Sequence, residues 1–267
     1  MDESVQLLLY LGAGLCSGFL NTIASAGSAL TLPLMIFLGL PANIANGTNR
    51  VQIAVGRITS IVSFQRSKAI DWRNALILSL PCSLGAILGA SLATVLQSKY
   101  IGWAITFAVI AVIVVLLSNP KRLLKEQKVD KPVVKWWHLG LYFAVGLWGG
   151  FIVLDASTYA LMVLVLGIGY DLNKANAIKA VAIFPATFIS LAIFAWAGEI
   201  DWRVGLLLSL GSIIGAWIGA ALAVKEWIKV WIYRILIVIL ILEIYQLVSR
   251  YFYQYHTWLE NAILRII

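Results

Sequence analysis

The sequence predicts an all-α polytopic membrane protein made of two homologous repeats, with about eight long transmembrane helices and two short broken or re-entrant ones. Three observations carry this expectation. Of 267 residues, 61% are hydrophobic and 12% charged, with a mean hydropathy of +0.92, whereas about 25% of a soluble domain is charged. Apolar runs of about 20 residues recur along the chain, the length of a helix that crosses hydrocarbon. Finally, residues 70–93, IDWRNALILSLPCSLGAILGASLA, return at 200–223 as IDWRVGLLLSLGSIIGAWIGAALA, with 14 of 24 positions identical.

The long runs fall at 5–24, 44–64, 74–97, 100–118, 136–155, 174–197, 204–224 and 231–250. They are continuous rather than alternating, which excludes the dyad pattern of a membrane β-barrel. Two shorter runs, 29–40 and 157–168, each follow a long helix after a small or polar break, Ala24-Ser25-Ala26-Gly27-Ser28 and Asp155-Ala156-Ser157-Thr158. The repeat extends upstream: Gly18-Phe19 matches Gly150-Phe151 at an offset of 132, and Ala45-Asn46 matches Ala175-Asn176 at 130. The organisation read from this is a first transmembrane repeat at 1–118, a basic cytoplasmic linker at 119–135 and a second repeat at 136–267. The linker holds six Lys/Arg and two acids.

A net charge of +8 does not indicate nucleic acid here. The bases collect in short connectors, as in loops that face anionic lipid. Arg66 and Lys68 precede the first IDWR, with Arg73 within it, whereas Gly198-Glu199 precedes the second. Equivalent connectors thus carry opposite orientation signals, which points to inverted repeats with an odd number of crossings each. A direct repeat of four crossings per half is the alternative. The acidic start, Asp2 and Glu3, argues against a cleaved signal peptide at Ala24-Ser25-Ala26, and a bacterial or archaeal inner membrane is the expected location.

Gly85, Gly89 and Ala93, like Gly211, Gly215 and Gly219, form stripes that let helix backbones approach closely. Trp72 and Trp202 fit interfacial positions, and Asp71 and Asp201 fit helix caps. Cys16 and Cys82 read as small buried hydrophobes, with a sulfur relay as the lesser alternative.

Charge inside an apolar run marks a cavity or a partner, because it costs roughly 2.5–3.5 kcal/mol to insert. Asn46, Arg50 and Arg57 share one stripe of a helix, with Thr48, Asn49 and Gln52 beside them. Guanidinium forks match oxyanions; pairing, with Asp155 for Arg50, or snorkelling for Arg57 is the competing reading. In the second half Asn176 corresponds to Asn46 and Lys179 falls opposite Asn49. The breaks offer helix ends and hydroxyls that suit anions: Ser25, Gly27 and Ser28, with Asn21 just before them, and Ser157 and Thr158. Asp155 reads as a proton site or a partner of Arg50, and Glu243 as a buried acid bonded to a neighbouring helix. No phosphate loop, metal-ligand cluster or nucleophile–base pair is apparent, so neither enzyme nor cofactor is expected.

These motifs resemble the TauE/SafE family of permeases, the sulfite exporters. The likeness rests on GLCSGFLNTIASAGSALTLPLMIFLGL at 14–40, GTNRVQ at 47–52, the paired IDWR segments and ANAIKAVAIFPATFISLAIFAWAGEIDWR at 175–203. It covers nearly the whole chain. The first break departs from the glycine-rich form common in the family. The resemblance implies movement of a sulfur-containing anion, such as sulfite or a small sulfonate. Expected partners are therefore a small anionic substrate, protons as coupling ion, the lipid bilayer and a second copy of the chain in a homodimer. The expected mechanism is alternating access at a midplane site. An anion channel and a non-transporting scaffold or accessory subunit are the rival classes.

Overall fold

A computed structural model describes residues 3–23, 27–98, 100–101, 104, 132–154 and 156–222. Among them every regular element is helical: α1 Glu3–Ile23, α2 Gly27–Phe37, α3 Ala42–Arg66, α4 Trp72–Val95, α5 Trp136–Phe151, α6 Ala156–Met162 running into a π-helical turn Val163–Ile168, α7 Leu172–Ala182, α8 Phe184–Trp196 and α9 Trp202–Leu222. Among the described residues four stretches are long and apolar enough to cross a membrane: Val5–Thr22, Trp72–Val95, Leu172–Trp196 and Trp202–Gly219. The expected spans at 231–250 and over most of 100–118, most of the linker, and Ser25, Asp155 and Glu243 lie outside the described residues.

Two expected spans differ in form. The run at 174–197 is divided at Ile183 into α7 and α8. Pro185 has no N–H to offer Val181, so the ladder is interrupted there. The run at 136–155 is helical only to Phe151. Gly149 and Gly150 weaken the last turn, and β-branched Ile152 and Val153 follow. The two short runs are helical over Gly27–Phe37 and Ala156–Ile168.

Packing follows the small residues. In α1 and α9, a Cβ at Gly14 or Gly18 would overlap the backbone of Leu208 or Ser212, and one at Gly215 that of Leu15. In α4 and α5, a Cβ at Gly146 or Gly150 would overlap the backbone of Cys82 or Ala86, and one at Gly89 that of Leu147. Both pairs are parallel, and each joins a helix of the first half to one of the second. The opposite faces of α4 and α9 expose Leu76, Leu80, Leu84, Leu206, Leu210 and Trp217. A continuous apolar face of this kind needs a nonaqueous neighbour. Cys82 is buried, as expected, whereas Cys16 is exposed; it stands on the outer side of α1, where a small apolar group faces lipid as readily as protein.

Helix α3 lies against α7 and α8 in the reverse direction. At its start, Asn43 Nδ2 donates to Glu199 Oε1 at 2.8 Å and Thr48 Oγ1 accepts the Asp201 N–H at 2.9 Å. Near its end, Ile61 and Phe64 pack against Ala177 and Ala180. Left-handed backbone recurs at the spacing of the sequence repeat. The described residues with left-handed φ are Gly39 and Gly169, at 103° and 92°, and Lys68 and Gly198, at 55° and 71°. Both pairs are 130 residues apart.

Asp71 and Asp201 cap α4 and α9 by accepting the N–H of Asn74 and of Val204. Asp71 Oδ2 also accepts the Tyr170 hydroxyl at 2.8 Å, which ties this connector to the one before α7. Burial raises the Asp71 carboxyl, but bonds from Tyr170 and Asn74 and the charge of Arg73 outweigh it, leaving the group below its usual value. A depressed carboxylate stabilises the fold above its unfolded pKa of about 3.9, and the benefit is lost as pH falls through the folded value. Tyr170→Phe should therefore cost about 1 kcal/mol at neutral pH. Thermal melts of the detergent-solubilised protein should show the gap to wild type closing below about pH 4.

Candidate functional site

Arginines enter the interior through α3, which is buried over its middle turns. Arg50 is 1% exposed. Its Nη1 donates to Gly149 O at 2.8 Å and its Nη2 to Gly150 O at 2.7 Å, and its guanidinium lies 4.4 Å from the centre of the Phe194 ring. Asn46, one turn earlier, donates to Phe151 O at 2.8 Å and accepts the Val153 N–H at 3.1 Å. Ile152 N–H takes Trp148 O. The last four carbonyls of a helix have no partner within it, and here all four of α5 are satisfied, three of them by α3. Arg50 and Asn46 thus cap a broken helix inside the protein, where a bare backbone polar group would cost about 2–7 kcal/mol.

Thr48, Asn49 and Gln52, beside these two on α3, also bond to protein groups. Asn49 Oδ1 accepts from Thr31 at 2.7 Å and from Gln52, whose Nε2 also reaches Thr31 Oγ1 at 2.8 Å. Thr48 holds the Asp201 backbone. In the first break, Asn21 Oδ1 accepts the Gly27 N–H at 3.0 Å, which fixes the entry into α2.

Arg57, two turns beyond Arg50, is placed differently. Its Nη2 donates to Ser157 Oγ at 3.2 Å, and its Nε is buried with no partner among the described residues. It lines two cavities. The first, of about 30 Å³, lies between α1, α3, α7 and α9 and brings Arg57 together with Asn21, Thr22, Ser60, Ser157, Asn176 and Lys179. Lys179 Nζ donates to Asn176 Oδ1 at 2.7 Å. The second, of about 20 Å³, lies between α3, α4, α5 and α8, and Ser28, Arg50, Ser157, Thr187 and Ser190 share its wall with Arg57. Ile53 and Ser157 also belong to both. At roughly 10–15 Å³ for each water centre, each space has room for about two waters.

Of the residues singled out in the sequence, Asn21, Arg57, Ser157, Asn176 and Lys179 meet at the first cavity, and Ser28, Arg50, Arg57 and Ser157 at the second. Asn46, Thr48, Asn49 and Gln52 line neither, Gly27 sits at the start of α2, and Thr158 lies in the first turn of α6. The sequence reading passed over Thr22, Ser60, Ser190 and Ser212. A signal for one pair existed, since Ser60 and Ser190 are 130 residues apart.

A helical protein with membrane-length spans, arginine and lysine turned onto small internal cavities, and a broken helix capped inside the fold belongs to the class of membrane permeases. The profile of the sulfite exporter TauE/SafE family matches residues 10–246, and the chain belongs to that family. It is 28% identical over 217 residues to a probable membrane transporter protein of Haemophilus influenzae, covering 81% of this chain and 85% of that one. It is 28% identical to the probable membrane transporter protein ORF9 of Sinorhizobium sp, covering 80% and 82%, and 27% identical to the probable membrane transporter protein YfcA of Escherichia coli K12, covering 75% and 74%. No solved structure matches. The chain is a multi-pass membrane protein of a transporter family.

Proposed function

We propose that the protein is a secondary transporter of the inner membrane that moves a small anion, sulfite or an organosulfonate in type, by alternating access. The observation that carries this reading is Arg57, a cation between two cavities whose buried Nε has no partner among the described residues. An arginine fork bonded, among those residues, to Ser157 has donors left for an oxyanion. Lys179 adds a second cation to the first cavity. The dimensions of both spaces favour a small ion over a bulky substrate.

The halves are inverted repeats in this reading, and the substrate is held where they meet. Support comes from the opposite directions of α3 and α7–α8 and from the partners of the two IDWR copies, Tyr170 for Asp71 and Thr48 for Asp201. Export needs no coupling ion, because an inside-negative potential drives an anion outward with about 2.3 kcal/mol per charge per 100 mV. Uptake requires one, and protons are the proposed ion.

Flux into proteoliposomes tests the reading, with sulfite, sulfate, thiosulfate, taurine and sulfoacetate compared. At least one of the anions should move, saturably, and Lys179→Gln should raise its half-saturation concentration about tenfold, equivalent to about 1.4 kcal/mol. Conductance far above carrier turnover would identify a channel instead. Absence of flux for every anion would sink the proposal.

A further inference from the structure

The two halves differ by one helical turn. Carried across by the offsets of 132 for α1 and α5 and 130 for α4 and α9, the contacts of Gly14 with Leu208 and Gly18 with Ser212 would put Gly146 on Leu78 and Gly150 on Cys82. Instead Gly146 meets Cys82 and Gly150 meets Ala86. Likewise Leu15 and Phe19 receive Gly215, whereas their counterparts Leu147 and Phe151 receive Gly89 rather than Gly85. Every contact is displaced by four residues, about 6 Å along a helix.

The helix ends differ in step with this. Helix α1 continues past Phe19 to Ile23, whereas α5 stops at Phe151, the counterpart of Phe19. Asn46 caps the unwound end, while its counterpart Asn176 bonds Leu172 O and Lys179 instead. The cavities are counterparts as well: Ile53, Gly56 and Ser60 of the first correspond to Ile183, Ala186 and Ser190 of the second. Arg50 lines that second cavity with a buried Nε that has no partner among the described residues.

We propose that the second cavity is a second oxyanion station, reached from the opposite side of the membrane, and that Arg50 is its latch. In the present state Arg50 and Asn46 hold the carbonyls of α5. When α5 slides one turn along α4, its end rewinds, the carbonyls return to the helix, and the Arg50 fork turns to the anion. Helix α1 slides the other way and loses its last turn. Arg57 and Ser157, common to both spaces, keep the anion bonded during the exchange. One-turn movements of this kind let packed helices switch between two discrete arrangements. The inference rests on the transport reading above.

The test uses Ser60→Cys and Ser190→Cys separately, each in a background with Cys16→Ser and Cys82→Ser, in oriented proteoliposomes exposed to a small membrane-impermeant anionic thiol reagent. Sulfate and sulfoacetate serve as protecting anions, since sulfite consumes such reagents. Ser60→Cys should react from one side only and Ser190→Cys from the other only. Whichever anion is transported should slow both at least fivefold. Adding Arg50→Gln should speed labelling of Ser190→Cys about tenfold and leave Ser60→Cys unchanged; Asn46→Ala, which removes the other half of the cap, should act in the same direction if the arginine variant does not fold. Reaction of both cysteines from the same side, or protection of Ser60→Cys alone, would overturn the second station. If flux is intact in that case, the transport reading stands; if flux is absent, both fall.

Discussion

Arg57→Ala should lower anion flux at least 100-fold while the protein still inserts and purifies normally. A bond between an anion and a charged donor contributes about 1.5–3 kcal/mol, and Arg57 offers several such donors to whatever occupies either cavity. Among the described residues its bonded side chain is Ser157, so its loss takes one hydrogen bond from the protein itself. Arg57→Lys keeps the charge but not the fork, so it should retain a measurable part of the flux with weaker binding. Parallel flux and size-exclusion measurements separate the effect from misfolding. Normal transport by Arg57→Ala would remove the basis of the proposed function.

Gly150→Ala should unfold the helix pairing that walls the second cavity. The new Cβ would overlap the Ala86 backbone, and neither backbone can move without separating α5 from α4. Overpacking against side chains costs about 1–3 kcal/mol, and a clash with backbone costs at least the upper end of that range. The expected result is a melting temperature lower by more than 5 °C, or loss of the monodisperse protein. Gly12→Ala is the matched control. Nothing lies within 4 Å of a Cβ there, so the same substitution should be neutral or gain up to about 1 kcal/mol of helix propensity.

Much of this architecture was legible in the chain. The IDWR copies announced two helix starts, and Asp71 and Asp201 are the caps their positions implied. The stripes at Gly85 and Gly89 and at Gly211 and Gly215 mark the two close-packed pairs. What could not be read was the division of labour along α3. Asn46, Arg50 and Arg57 share a stripe, and that spacing is the same whether a side chain caps a helix or faces a cavity. The deciding partners, Gly149 O and Gly150 O, lie 100 residues away and leave no periodic trace near Arg50. Which of the two arginines spends its terminal nitrogens on backbone carbonyls depends on where α5 unwinds, and that follows from packing on α4 rather than from composition. The kink at Ile183 was legible in principle, since Pro185 sits inside the apolar run.

A small anion held between Arg57 and Lys179 should be seen in an experimental structure obtained with selenite, the heavier counterpart of sulfite, at a concentration that competes with flux, located by its anomalous scattering. The expected result is a selenium peak in the first cavity, within hydrogen-bonding reach of the Arg57 guanidinium and the Lys179 ammonium. Peaks confined to the headgroup edges of the protein, with that cavity empty, would contradict it.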